Sequence, residues 1–184
     1  MNETLKFLTT RRTVRDFQKK QLDDQDIELI LQAGIHASSA MNRQSWHFAV
    51  VQDAELLDAI SGAVGEVLVD SEIPSLIERA RSTGFSSFHH APTVIFVCGE
   101  GTHYSNADCA NASQNLCNAA ASLGIGSCYI GSFVKAFEHP AGKGLLEKFN
   151  LPQDLKPVFA VALGYSNSEV LYEKEKAWKV SYIR

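Results

Sequence analysis

"SNADCANASQNLCNAAASLGIGSCYIGSF", residues 105–133, decides how the rest of the chain is read. From Ser105 to Leu123 it is a helix with few bulky groups, carrying Ala, Ser, Asn and Cys on nearly every face. Small side chains let a second backbone approach closely, so such a helix belongs at the centre of a fold or against a second subunit. Gly124 and Gly126 end it, and a short strand near 127–130 leads to Gly131. These glycines do not spell GxGxxG, and they follow a helix instead of opening one, so a Rossmann fingerprint is absent.

Outward from this helix, "TVIFVCG" (93–99) is a buried strand, β-branched and aromatic between Pro92 and Gly99. "WHFAVVQ" (46–52) and "KPVFAVALG" (156–164) read as further strands. Helices are expected at about 2–9, over "LDDQDIELILQAG" (22–34), at 53–61 and at about 138–149. In the second of these Asp23 caps, Ile27, Ile30 and Leu31 form an apolar face, and Gly34 stops the helix. Residues 62–90, with Gly62, Gly65, Pro74 and Gly84, predict broken helical pieces or a mobile flap ending in "FSSFHH". Strands are few and helices many, which favours an α+β layer over a doubly wound sheet. With 184 residues and no internal repeat, residues 1–184 make one domain.

Charge is distributed unevenly. The net charge is −4, unsuited to wrapping nucleic acid, yet Lys6, Arg11, Arg12, Arg15, Lys19 and Lys20 put six of 17 cations in the first 20 residues. Only Glu3 and Asp16 oppose them there, and so short a basic patch suits a small anion better than a polymer. Cys98, Cys109, Cys117 and Cys128 form no CxxC and read as reduced, small apolar fillers. His89, His90, Cys98 and His103 match no standard metal spacing, so no metal is expected. The apolar stretches fall short of the roughly 20 residues that cross a bilayer, and "MNETLKFLTTRR" is polar before it is apolar, which points to the cytoplasm. "AGKG" (141–144) lacks the rest of a P-loop, and neither GxSxG nor HExxH occurs.

Two stretches give the basic patch a purpose. "RRTVRDF" (11–17) fits R-R-[ST]-x-R-x-F, and "AGIHASSAMNRQSWHF" (33–48) fits S-x-N-x-Q-P-W-x-F through Ala40, Asn42, Gln44, Trp46 and Phe48. With "SLGIGSCYIGSF" and the closing "ALGY", these ordered landmarks make the chain resemble the nitroreductase family of FMN-dependent oxidoreductases. Ser45 stands where the pattern has proline, which loosens the loop without removing a ligand group.

The resemblance implies a central, mostly antiparallel sheet flanked by helices in an intertwined homodimer with shared FMN sites. It implies that Arg11 and Thr13 hold the phosphate, Arg12 the ribityl or phosphate region, and Arg15 the pyrimidine edge. Ser38, Ser39, Ala40, Met41, Asn42 and Gln44 border the ring from the other subunit, and Tyr129, Ile130 and Gly131 lie along it. Lys174 or Lys176 completes the phosphate site. Phe85 and Phe88 are expected to form a lid over the acceptor. The implied activity is ping-pong transfer from NADH or NADPH through flavin N5 to an electron-poor acceptor such as a nitroaromatic or quinone, with no protein catalytic residue. The alternatives are a non-catalytic flavin carrier or redox sensor, or another flavin chemistry on this fold, such as reductive dehalogenation or flavin ring cleavage.

Overall fold

A computed structural model describes residues 2–152, 154–168 and 176–184. Asn2 opens α1 (Glu3–Thr10), its Oδ1 accepting from Leu5 N at 2.9 Å. Asp23 precedes α2 (Asp24–Ile35) in extended backbone, but its carboxylate makes no capping bond, contrary to expectation. Strand β1 (His47–Val51) follows, then α3 (Ala54–Val69), capped by Asp53, and α4 (Pro74–Arg81), with proline in its first turn. After β2 (Thr93–Gly99) comes α5 (His103–Ser122), then β3 (Gly126–Ile130) and β4 (Lys156–Gly164).

The sheet order is β1-β2-β4-β3, and every pairing is antiparallel. Alternate residues of each strand face opposite sides. Val94, Phe96 and Cys98 of β2 pack with Leu57, Ile60 and Val64 of α3. Ile95 and Val97 turn the other way, with Val161 and Leu163 of β4, onto Ile27 and Ile30 of α2 and Leu116 of α5. The continuous apolar run of β2 thus reflects burial on both faces. This is the α+β layering that the sequence predicts.

Three local expectations are corrected. Gly34 does not stop α2; it lies inside the helix, where a Cβ would meet Leu116 Cδ2 at 2.7 Å, so it permits close packing of α2 on α5. Helix α3 continues through Gly62 and Gly65 to Val69, because Ser61, Ala63 and Val64 extend its buried stripe and burial outweighs the glycine penalty. Residues 138–149 form short 3₁₀ turns at Pro140–Gly142 and Leu146–Phe149 in place of an α-helix, broken by Pro140 and by Gly144 at φ 81°. The expected flap after α4 is braced: Ser86 Oγ accepts from Phe88 N at 3.2 Å and His90 N at 3.1 Å.

Phe88 is not a lid residue. It is 1% exposed, edge-on to Phe96 at 5.4 Å, and tilted against Phe133 at 6.0 Å, so it has no face to offer a ligand. All four cysteines are free and buried, and burial pushes the Cys98 thiol up to about 12 and that of Cys109 to about 11.

Candidate functional site

The basic segment lies along the outer edge of β3. Val14 and Phe17 are its anchors, buried in the core, and Val14 N donates to Ser127 O at 2.9 Å. Thr13 bridges Ser127 in parallel, and Phe17 bridges Ser166. Gly126 makes this approach possible, since a Cβ there would meet Val14 Cγ2 at 2.9 Å. With the apolar anchors turned inward, Arg11, Arg12 and Arg15 remain at the surface side.

Arg11 and Arg12, with Thr10, Gly124, Ser127 and Ser166, rim a cavity of about 270 Å³. Arg12 Nη1 donates to Thr9 O and Arg11 O, both at 3.0 Å, which fixes its guanidinium beside the C-terminus of α1. Ser127 Oγ is buried in this wall without a strong hydrogen-bond partner, having beside it the weakly bonding thiol of Cys117.

A second cavity, of about 440 Å³, lies at the other end of the segment. Arg15, Arg79, Ser87, His89 and the run Cys128–Ser132 line it. Arg15 sits beside the Cys128 sulfur. Burial, followed by the positive charges of Arg15 and Arg79, lowers the His89 pKa, which favours a neutral imidazole. Tyr129 packs on Phe159 at 5.1 Å between centroids, and burial pushes its hydroxyl up to about 12. Gly131 has no positive φ, and a Cβ there would make only ordinary contact with Phe159 at 3.7 Å. Neither backbone conformation nor packing within the chain demands glycine at this position, which leaves an open approach to its backbone. Arg15, Tyr129, Ile130 and Gly131 are therefore brought together.

The 38–44 loop is elsewhere. Met41, Asn42 and Gln44 adopt left-handed φ of 52°, 53° and 49°. Asp108 of α5 holds this turn: its Oδ1 accepts from Ala40 N at 2.9 Å and its Oδ2 from Ser45 Oγ at 2.7 Å. Ser39 Oγ accepts from Gln44 N at 3.1 Å, Asn42 Oδ1 from Gln44 Nε2 at 3.1 Å, and Ser38 O from Asn111 Nδ2 at 3.1 Å. The hydroxyl that replaces proline is thus an anchor. The loop meets α5 at Asp108, whereas the Arg11 cavity touches Ala121; roughly 20 Å of helix separates them at 1.5 Å per residue. One copy of the chain does not bring these two groups together.

Phe85 is half-buried and lines a groove of about 480 Å³ with Arg15, Lys19, Arg79, His89 and His90. Lys176 is exposed, and Lys174 lies outside the described residues. Sequence reasoning missed Arg79, Ser87, His89 and Asp108 as site residues. Asp108 had a signal, being the one charge between Ser105 and Leu123, and the others had none.

A sheet-edge basic segment beside two cavities defines an α+β protein suited to an anionic ligand. The chain belongs to the nitroreductase family: residues 8–165 match the model described as Nitroreductase family. A crystal structure of a nitroreductase with bound FMN from Bacteroides fragilis is 31% identical, with 100% of both chains covered and a TM-score of 0.91. Another, with bound FMN, from Desulfitobacterium hafniense is 30% identical over 100% of both chains, with a TM-score of 0.89. An NADPH-flavin oxidoreductase of Vibrio harveyi is 27% identical over 173 residues, 92% of this chain and 69% of its own length.

Proposed function

We propose that the chain is an FMN-dependent oxidoreductase that takes electrons from NADH or NADPH and delivers them to an electron-poor acceptor, such as a nitroaromatic or quinone, by ping-pong turnover. The observation that carries this reading is the docking of Arg11–Arg15 on β3. It separates a guanidinium pair from a single guanidinium by about 13 Å of extended chain. The pair, with the under-bonded Ser127 Oγ, fits a phosphate; Arg15, with Tyr129–Gly131, fits the polar edge of a ring. The FMN bound in the Bacteroides fragilis and Desulfitobacterium hafniense structures supports that assignment.

When bound, FMN supplies the redox chemistry, accepting hydride at N5 and passing electrons on. Arg11, Arg12 and Thr13 hold the phosphate, and Lys176 adds charge. Arg15 fixes a positive charge at the pyrimidine edge, which makes reduction easier. Gly131 leaves its N–H approachable. No side chain serves as nucleophile or base, and water supplies protons. The adjoining groove of about 480 Å³ is room for a second substrate, which favours turnover over a carrier or sensor. Phe85 borders that space as the lid residue.

The same loop of a second copy supplies Ser38, Ser39, Ala40, Met41, Asn42 and Gln44, making an obligate homodimer. The 20 Å separation supports this, and so does the surface. Leu5, Leu8, Trp178, Tyr182 and Ile183 are among the exposed apolar groups that a partner would cover. The small residues of α5 contribute less to this than the sequence suggests: Cys109, Ala112 and Ala120 pack inside their own chain. Among the described residues no helix is long and apolar enough to cross a membrane. In our reading each copy of the dimer is one domain of residues 1–184, working in the cytoplasm.

Absorbance of the purified protein and release of FMN on denaturation test the cofactor; a colourless protein that binds no added FMN refutes it. Co-refolding Arg11→Ala with Asn42→Ala chains tests the sharing. Each heterodimer should regain one tight FMN site, and a mixture no better than its two components refutes a shared site.

A further inference from the structure

One broad face of α5 holds the 38–45 loop. Ser105, Asp108, Asn111 and Asn115 recur at helical spacing along it. Asn115 Nδ2 donates to Ala33 O at 3.0 Å, and Ser105 Oγ to Ser45 O at 3.5 Å. Together with the bonds of Asp108 and Asn111, these tie the chain down on both sides of the turn.

What is held this way is not core. Met41 is 82% exposed, and Asn42, Arg43 and Gln44 are exposed with it. The backbone is nevertheless left-handed at Met41, Asn42 and Gln44. Asparagine tolerates that region, but methionine and glutamine rarely enter it. Strain of this kind persists only where surrounding contacts enforce it, and it gathers at binding sites. The enforcing contacts centre on Asp108, a buried carboxylate with no ion pair among the described residues. Such a carboxylate is itself unfavourable. The exposed turn offsets neither cost through burial in its own chain. Ser45 adds a feature particular to this sequence. A proline ring at that position would restrain the backbone; here the serine hydroxyl does so, through its bond to Asp108 Oδ2 at 2.7 Å.

We propose that Asp108 is a positioning residue for the flavin site of the other copy. It holds Ala40–Gln44 in the shape that the partner copy's flavin meets, so a change in α5 of one chain is felt at the cofactor of the other. This rests on the flavin reading and on the shared site. Being buried, Asp108 acts through Ala40 N and Ser45 Oγ, not by contact with the cofactor. A loop already in its bound shape loses less freedom when the ligand arrives. If loss of the anchor leaves the turn in that shape about one-tenth of the time, FMN affinity falls about tenfold.

The first test titrates FMN into apoprotein, well below the melting temperature, and follows quenching of flavin fluorescence. Asp108→Ala should bind FMN at least about tenfold more weakly. Asp108→Asn keeps one acceptor and should lose about threefold, as should Ser45→Ala, and both leave a folded chain on which to measure. Adding Ser45→Ala to Asp108→Ala should weaken binding no further. Unchanged affinity in these folded variants, with only the melting temperature lowered, is a structural role alone and overturns the proposal.

The second test asks in which copy Asp108 acts, by refolding Asp108→Ala chains together with Arg11→Ala chains. Each mixed dimer joins the intact Arg11 of one chain to the intact loop of the other. Random pairing makes about half of the dimers mixed, so about a quarter of all sites should bind FMN with unmodified affinity. If no site is regained, Asp108 acts within its own chain, and the proposal is overturned. The mixture of Arg11→Ala with Asn42→Ala separates the two kinds of failure. Where it regains sites and the Asp108 mixture does not, the shared site stands and this proposal falls. Where neither regains them, both fall. A protein that binds no FMN removes the flavin reading, and this proposal with it.

Discussion

Asp108 ties the 38–45 loop to α5, and its removal should be costly. It is 3% exposed and forms no ion pair among the described residues. Its burial is supported by two bonds, from Ala40 N at 2.9 Å and Ser45 Oγ at 2.7 Å. Asp108→Ala deletes both and leaves two half-buried donors facing a vacancy. Hydrogen bonds to a charged group contribute about 1.5–3 kcal/mol each. Rewetting of the donors and recovered desolvation of the carboxylate offset part of that. The expected net loss is about 2–4 kcal/mol. For a chain of this size each kcal/mol moves Tm by about 2–4 °C, so the fall should be about 5–15 °C. Asp108→Asn, of the same shape with one acceptor, should lose about half as much. Circular-dichroism melts of the FMN-free protein measure this, at one fixed protein concentration because assembly makes Tm concentration-dependent. Ser45→Ala completes a double-mutant cycle: alone it should cost about 1–2 kcal/mol, and in the Asp108→Ala background almost nothing. A melting temperature within about 2 °C of the unmodified protein, or strictly additive losses, would refute the anchoring role.

Four further outcomes are expected. Arg11→Ala should weaken FMN binding by about 1.5–3 kcal/mol in calorimetric titration of the apoprotein, whereas Arg15→Ala should chiefly lower the flavin midpoint potential. His89 has a folded pKa below the ordinary 6.5, from burial first and then from the charges of Arg15, Arg79 and His90. The unfolded chain therefore takes up a proton that the folded chain resists, so stability falls as pH drops below 6.5 and levels off beneath the folded pKa. His89→Gln should flatten that dependence in urea midpoints measured across this range. Phe88→Ala should cost about 3–5 kcal/mol of stability without altering the ranking of acceptors, while Phe85→Ala should change the ranking with FMN still bound. With Cys98 pushed up to about 12 and Cys109 to about 11, iodoacetamide should label native protein slowly at neutral pH and reach all four buried thiols after denaturation.

Local pattern was sufficient for much of the architecture. The apolar runs at 93–99 and 156–164 are strands because both faces are buried, and the glycines after the small-residue helix do close it, with Gly124 at φ 72°. Spaced motifs were enough for the family, because Arg11–Phe17 and Ala40–Phe48 keep a fixed order in which polar, ligand-type side chains alternate with apolar packing anchors. Where local preference and burial compete, local preference lost: Gly62 and Gly65 stay helical under a buried stripe, and Gly34 serves the approach of Leu116. Phe88 and Phe85 stand three positions apart in one irregular stretch and are equivalent to any pattern, yet one is core and the other lines a groove. Tertiary structure also decided which motif residues meet. Arg15 joins Tyr129–Gly131 because Val14 and Phe17 pin the segment to β3, and Arg79 joins them because α4 ends above that edge. The 38–44 loop, fastened by Asp108 far along α5, does not. Periodicity records which face of an element is buried; it holds no information about which distant element covers that face, because that is set by packing among residues far apart in the chain.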